Sequence, residues 1–250
     1  MDDFVACLTA DPSNTGIFSD FDGTLARIVD DPADAEPVEG AVELLAALSR
    51  RFKRVGVISG RPAAFLLDRL ANTELFLSGL YGMETVEGGD VVATDEAARW
   101  RPVVADVAAR AGGDLPPGLH VEDKGLSVTI HYRRAPERAG DARRYAEHAA
   151  VSTGLTLHEA RLSFELAPPV GSSKGTVLAE AAQGLGATCF IGDDRGDLTA
   201  FDALDDLTES GTIALRVAVD SLEAPPELLE RADLVVEGPE AVVALLQRLL

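Results

Sequence analysis

The segment Asp20-Phe21-Asp22-Gly23-Thr24 places two carboxylates one residue apart, directly after an apolar run at 15–19. The run reads as a short buried strand, and in open α/β sheets ligands gather beyond the C-terminal ends of the strands. If the strand continued, its alternation would point both side chains the same way. Two anions this close repel unless one is protonated or a cation lies between them. Mg²⁺, a hard oxygen-seeking ion, resolves that repulsion and leaves positions for water and phosphate. A carboxylate can attack as a covalent nucleophile, and a second one can alternate between acid and base. A strand running into an Asp-Gly turn is the plainer account of the same residues.

Three other places carry comparable chemistry. Ser59-Gly60-Arg61 follows an apolar run at 54–58. Its hydroxyl and backbone N–H groups at a helix start suit a phosphate, and they suit an N-cap with a turn glycine as well. Lys174 opens a predicted helix and is one of only three lysines, with Lys53 and Lys124. Such a lysine is ordinarily solvated; placed at a site, it would offset charge on phosphoryl oxygens. Asp193, Asp194 and Asp197 close another apolar run, within Ile191-Gly192-Asp193-Asp194-Arg195-Gly196-Asp197. On an acidic chain they can be a solvated loop, but three aspartates at one strand end call for a cation.

The elements around these residues follow an α/β rhythm. Strands are predicted at 15–19, 54–58 and 75–78, with helices at 38–51, after Pro37, and 62–70. This pattern implies a parallel sheet with helices on both faces. The rhythm changes after Thr94. A helix at 96–111, strands at 120–123 and 126–133, a helix at 135–151 and strands at 155–159 and 162–166 form an αββαββ unit of α+β type. Pro168-Pro169 marks the exit. Helices at 175–182, 198–204, 226–231 and 241–249 then alternate with strands at 188–191, 212–219 and 234–236. The expected domains are a core of residues 1–94 and 168–250 and an inserted cap of residues 95–167.

Composition narrows the class. The chain has 250 residues, 46% hydrophobic but only 5% aromatic, so Ala, Val, Leu and Ile must build the core. Its 22 basic and 42 acidic residues give a formal charge of −20, which disfavours a nucleic-acid partner. Cys7 and Cys189 make no disulfide framework and suit a reducing compartment. The start of the chain has no basic leader pattern, and no apolar run reaches the roughly 18 residues of a membrane helix. The expectation is a soluble cytoplasmic protein acting on a small molecule.

Asp20-Phe21-Asp22-Gly23-Thr24, Ser59, Lys174 and Asp193/Asp197, in this order, resemble the four signatures of the haloacid-dehalogenase-like phosphatases. The resemblance implies a Rossmann-like core with a C2-type cap. It implies that Asp20 attacks phosphorus to form an aspartyl phosphate and that Asp22 serves as general acid and then base. Ser59, Gly60, Thr24 and Lys174 would hold the phosphate. Asp20, the Asp22 backbone carbonyl and Asp193 would bind Mg²⁺, with Asp194 and Asp197 supporting them.

The inserted unit is similar to that of trehalose-6-phosphate phosphatases. The likeness lies in Val29-Asp30-Asp31-Pro32, in Glu122-Asp123-Lys124-Gly125-Leu126-Ser127-Val128, in His131-Tyr132-Arg133, and in Arg161 and Glu165. It implies hydrolysis of trehalose 6-phosphate to trehalose and phosphate, with Arg61, Glu122, Lys124, His131, Arg133, Arg161 and Glu165 binding the sugar. Charged donors and acceptors of this kind suit several hydroxyls, though on two hairpins they also read as a solvated face. A closing cap would hinge near Thr94 and Pro168. Some residues depart from that family's pattern. Gly196 and Leu198 stand where it has Thr and Glu, and Ser173 where it has Asp. Arg161 replaces a lysine, which changes geometry at equal charge. The segment Tyr81-Gly82-Met83-Glu84 lacks the histidine of Gly-x-His-Gly. Phosphatases of sucrose phosphate or of glucosyl- or mannosyl-phosphoglycerate, and a catalytically idle sugar-binding relative, remain alternatives.

Overall fold

The structure is a computed structural model that describes residues 1–29, 31–71, 74–160, 162–221 and 224–250. Two compact units are present: Met1–Val92 with Ser172–Leu250, and Ala93–Gly171. Helix α1 (Asp2–Thr9) leads into β1 (Thr15–Ser19), α2 (Ala41–Arg51), β2 (Arg54–Ile58), α3 (Ala63–Leu70) and β3 (Phe76–Gly79). Next come β4 (Glu84–Glu87) and β5 (Asp90–Ala93). The second unit contributes α4 (Asp95–Ala98), α5 (Arg101–Asp114), β6 (His120–Asp123), β7 (Val128–His131), α6 (Ala139–Thr153), β8 (Thr156–Ala160) and β9 (Ser163–Ala167). The first unit resumes with α7 (Lys174–Ala181), β10 (Ala187–Gly192), α8 (Leu198–Glu209), β11 (Ile213–Asp220), α9 (Pro226–Arg231), β12 (Leu234–Glu237) and α10 (Gly238–Gln247).

The large sheet runs β12-β11-β10-β1-β2-β3-β4-β5, parallel from β12 to β3. Its central strands are buried on both faces because alternate residues enter different cores. Ile17, Cys189 and Ile191 pack with Leu8, Leu45, Leu66 and Leu246 of α1, α2, α3 and α10. Phe18 and Phe190 pack with Leu178, Phe201 and Leu228 of α7, α8 and α9. The helices after β1 and β2 thus lie on one face, and those after β10 and β11 on the other. Between β1 and β10 the winding reverses, which opens a crevice beyond their C-terminal ends.

The predicted core strands and their helices are present. Helix 96–111 is two helices: α4 ends before Arg99, and Pro102 sits in the first turn of α5, where a residue without an N–H is tolerated. Two elements were not expected from the sequence. One is α1. The other is the β4–β5 hairpin, whose turn residues Gly88 and Gly89 have φ of 60° and 94°, as a tight turn compatible with strand twist requires.

In the second unit the sheet order is β6-β7-β9-β8, all antiparallel. Val128, Ile130, Phe164 and Leu166 face α5 and α6. The strand alternation therefore gathers Glu122, Thr129, His131 and Glu165 on the opposite face. Among the described residues no helix is long and apolar enough to cross a membrane.

Helix α7 starts at Lys174 and packs closely on α8 at Gly175. A Cβ there would come 2.1 Å from the Thr199 carbonyl oxygen. Gly175→Ala is therefore expected to destabilise the chain by about 1–3 kcal/mol, the cost of overpacking. Urea unfolding should show a lower midpoint at an unchanged slope.

Candidate active site

Strand β1 stops at Ser19, one residue before Asp20. The Asp20 N–H donates to the Ile191 carbonyl at 2.8 Å, extending the β1–β10 ladder by one bond. That bond brings Asp20 beside Asp193, which follows β10. The chain then turns: the Phe21 carbonyl accepts the N–H groups of Thr24, Leu25 and Ala26 at 3.3, 2.8 and 2.9 Å. Gly23 takes φ of 71° in this turn, and a Cβ on it would come 2.0 Å from the Asp193 carboxylate. A glycine is required both for the backbone angle and for the close approach.

Lys174 is only 2% exposed. Its Nζ donates to Asp197 Oδ1 at 2.6 Å and lies 3.0 Å from Asp20 Oδ2 and 3.7 Å from Asp194 Oδ1. Asp197 Oδ2 accepts the N–H groups of Asp193 and Asp194 at 2.8 and 3.0 Å. Asp194 in turn accepts the Asp197 N–H at 3.2 Å. Asp197 therefore holds the loop and the lysine together. Burial opposes the charge on Lys174, but Asp194, Asp197 and Asp20 outweigh it and keep the ammonium protonated well above its usual range. Burial likewise opposes ionisation of Asp194, and Lys174 and the local hydrogen bonds overcome it.

Asp20, Asp193 and Asp197 each present a carboxylate oxygen within 4.8 Å of the others. Burial pushes Asp20 up to about 6, although Lys174 acts against the shift. Burial and the neighbouring Asp20 charge push Asp193 up to about 8. Asp20 Oδ1 is buried and meets no hydrogen-bond donor among the described residues. Close buried carboxylates disfavoured as anions suit a hard divalent cation. Asp20 and Asp193 could hold it, whereas both Asp197 oxygens already accept hydrogen bonds.

Ser221, just after β11, was not singled out from the sequence. Its Oγ donates to Asp193 Oδ2 at 2.8 Å and orients that carboxylate. The available signal was a hydroxyl residue at the C-terminal end of another parallel strand.

Ser59 is buried after β2, and its Oγ accepts the Arg61 N–H at 3.3 Å. Thr24 is fully buried, and its Oγ1 has no partner among the described residues. Arg61, read as a sugar partner, grips Asp22 in a fork: Nε to Oδ2 at 2.7 Å and NH2 to Oδ1 at 2.6 Å. Its NH1 donates to the Pro32 carbonyl at 2.6 Å, and its guanidinium stacks 4.7 Å from the Phe65 centroid.

In the second unit, Glu165 Oε1 accepts Ser127 Oγ at 2.6 Å and Lys124 Nζ at 3.3 Å. His131 Nε2 pairs with Glu122 Oε2 at 2.9 Å. Arg133 lies in the turn after β7. Arg161 and Asp30 fall outside the described residues.

The trehalose-phosphatase family model matches residues 18–227. The chain belongs to the trehalose-phosphatase family. It is 36% identical over 199 residues to a trehalose-phosphate phosphatase of Mycobacterium avium, which covers 75% of this chain and 51% of that protein. A Mycobacterium leprae relative of the same description is 33% identical over 203 residues, covering 75% and 47%. The chain thus spans about half the length of these relatives. Among solved structures, a trehalose-6-phosphate phosphatase related protein superposes with a TM-score of 0.79 at 24% identity, covering 93% of this chain and 95% of that one. The C-terminal domain of the Candida albicans trehalose-6-phosphate phosphatase gives 0.77 at 22% identity, covering 99% and 95%. These likenesses establish the fold: a Rossmann-like core of haloacid-dehalogenase type with an inserted α+β unit.

A folded trehalose-phosphatase core that holds Asp20 and Asp193 protonated loses stability as pH rises, because the unfolded chain ionises them near the ordinary 3.8. The metal-free protein should lose this stability progressively between about pH 4 and pH 8. A divalent cation such as Mg²⁺, if the ionised pair holds it, is expected to raise the melting temperature more at about pH 8 than at about pH 5.5. An equal gain at both pH values, measured by calorimetry, would contradict this ligand assignment.

Proposed function

We propose that this chain is a Mg²⁺-dependent phosphomonoesterase that hydrolyses trehalose 6-phosphate to trehalose and phosphate. The observation that carries the reading is the orphaned, buried Asp20 Oδ1 next to Lys174 and Asp193. An oxygen without a donor keeps its lone pairs for attack, and the cation beside it offsets charge building on the phosphoryl oxygens. Family membership and the likeness to the Mycobacterium avium trehalose-phosphate phosphatase support the choice of substrate.

In this reading Asp20 Oδ1 attacks phosphorus while the bond from phosphorus to the sugar oxygen breaks. Asp22 gives its proton to that leaving oxygen, then takes one from the water that cleaves the aspartyl phosphate. Arg61 fixes the Asp22 carboxylate through its fork, a positioning role alongside the sugar contact first assigned to it. Ser59, Gly60, Thr24 and Lys174 hold the phosphoryl oxygens. Asp193 and Asp20, with the Asp22 carbonyl, would hold Mg²⁺, which supplies positive charge to orient the phosphate and stabilise the transition state. Asp197 and Asp194 keep Lys174 and the loop in place. Glu122, Lys124, His131, Arg133 and Glu165, with Arg161, would bind the sugar hydroxyls.

With Mg²⁺ the purified chain should release phosphate from trehalose 6-phosphate faster than from sucrose phosphate or glucosyl- and mannosyl-phosphoglycerate. Better turnover of one of these would replace the substrate and keep the chemistry. EDTA should abolish the activity and Mg²⁺ restore it. Asp20→Asn should lower kcat by about 10⁴-fold or more, as loss of a nucleophile does. Asp22→Asn should lose turnover while keeping phosphate affinity; near-normal kcat would exclude its acid/base role.

A further inference from the structure

Tyr81 is held in an unfavourable backbone conformation at the C-terminal end of β3. Leu80 and Tyr81 have φ of 49° and 57°. Two consecutive non-glycine residues in the left-handed region cost energy and persist only where their surroundings hold them. Three hydrogen bonds do so here. The Tyr81 N–H donates to the Ser59 carbonyl at 3.0 Å, and the Leu80 N–H to the Arg61 carbonyl at 2.9 Å. Ser172 Oγ donates to the Tyr81 carbonyl at 2.5 Å. The anchors are thus the two residues flanking Gly60 and a residue two positions before Lys174.

The phenol ring lies between two glycines of the site loops. A Cβ on Gly60 would come 2.6 Å from the Tyr81 hydroxyl and 2.7 Å from the carbon that bears it. A Cβ on Gly196 would lie 3.7 Å from the ring edge. The ring therefore spans from the loop after β2 to the loop after β10, with its hydroxyl over the Gly60 backbone. Tyr81 also bears electrostatically on Lys174. A phenol is a hydrogen-bond donor with a fixed reach. The strained backbone places that donor beside Gly60, next to Ser59, and within electrostatic reach of Lys174.

The geometry points to the Tyr81 hydroxyl as a further donor to the bound phosphoryl group, beside those of Ser59, Gly60 and Lys174. This assignment rests on the phosphatase reading above, and it adds a residue that the catalytic signatures do not contain.

The test is Tyr81→Phe, which removes one oxygen and leaves the ring between the two glycines. Inorganic phosphate binding in Mg²⁺ by calorimetry, and kcat/KM on trehalose 6-phosphate, are read in parallel with the parent chain. A hydrogen bond to a charged group is worth about tenfold to hundredfold in affinity. Both readouts should fall by that factor, with the melting temperature unchanged. Equal phosphate affinity and equal kcat/KM in the variant would overturn the assignment. Labelling with 3-fluorotyrosine gives a reading on the unmutated sequence, whose tyrosines are Tyr81, Tyr132 and Tyr145. Phosphate with Mg²⁺ should shift the Tyr81 fluorine resonance, and an unmoved resonance counts against the contact. A parent chain that binds phosphate but hydrolyses no ester would sink the phosphatase reading, while Tyr81 would still be judged on the variant's phosphate affinity. A parent chain that binds no phosphate overturns both.

Discussion

The structure turns on an imbalance of buried charge. Asp20, Asp193 and Asp197 are buried around one ammonium, that of Lys174. Taking carboxylates out of water is expensive unless each finds a partner. Lys174 and two backbone N–H groups satisfy Asp197, and Ser221 partly satisfies Asp193. One Asp20 oxygen is left over. Burial raises the carboxyls of Asp20 and Asp193 well above their ordinary range, so a proton or a divalent cation would relieve the imbalance.

Such a cluster needs supports from distant parts of the chain. The parallel pairing of β1 with β10 sets Asp20 against Ile191 and so beside Asp193. The reversal of winding between these two strands keeps helices from covering their ends. Helix α7 brings Lys174 in from the face occupied by α8, and Gly175 lets the two helices approach closely enough for Nζ to reach Asp197. The sheet, the helix pair and the loops therefore act together on a few oxygen atoms.

Much of this was legible beforehand because it is local. Strand ends at Asp20, Ser59 and Asp193 follow from short apolar runs, and Lys174 stood out because lysine is scarce. What depended on pairing across the chain was not legible. Ser221 matters only because β11 lies next to β10. The partner of Arg61 could not be read, since Asp22 reaches it through a turn whose course depends on three hydrogen bonds to the Phe21 carbonyl. Strand alternation suggested that Asp20 and Asp22 would project alike, but the strand ends before either. The β4–β5 hairpin was missed because its strands are short and largely polar or exposed. Helix 96–111 looked continuous because its apolar spacing runs across the break before Pro102.

The grip of Arg61 on Asp22 has a consequence for how two neighbouring aspartates divide their labour. Chemically identical and separated by a single phenylalanine, they live in different worlds. One is walled in beside an ammonium with a bare oxygen; the other, a third exposed, is leashed by a guanidinium whose own plane rests on Phe65 and whose third nitrogen is tied to Pro32. In the proposed mechanism a leash of this kind would keep the outer carboxylate from competing for the cation. The site would thus keep an attacking group and a proton carrier distinct by tethering one of them, where added distance along the chain would have broken the turn that sets both.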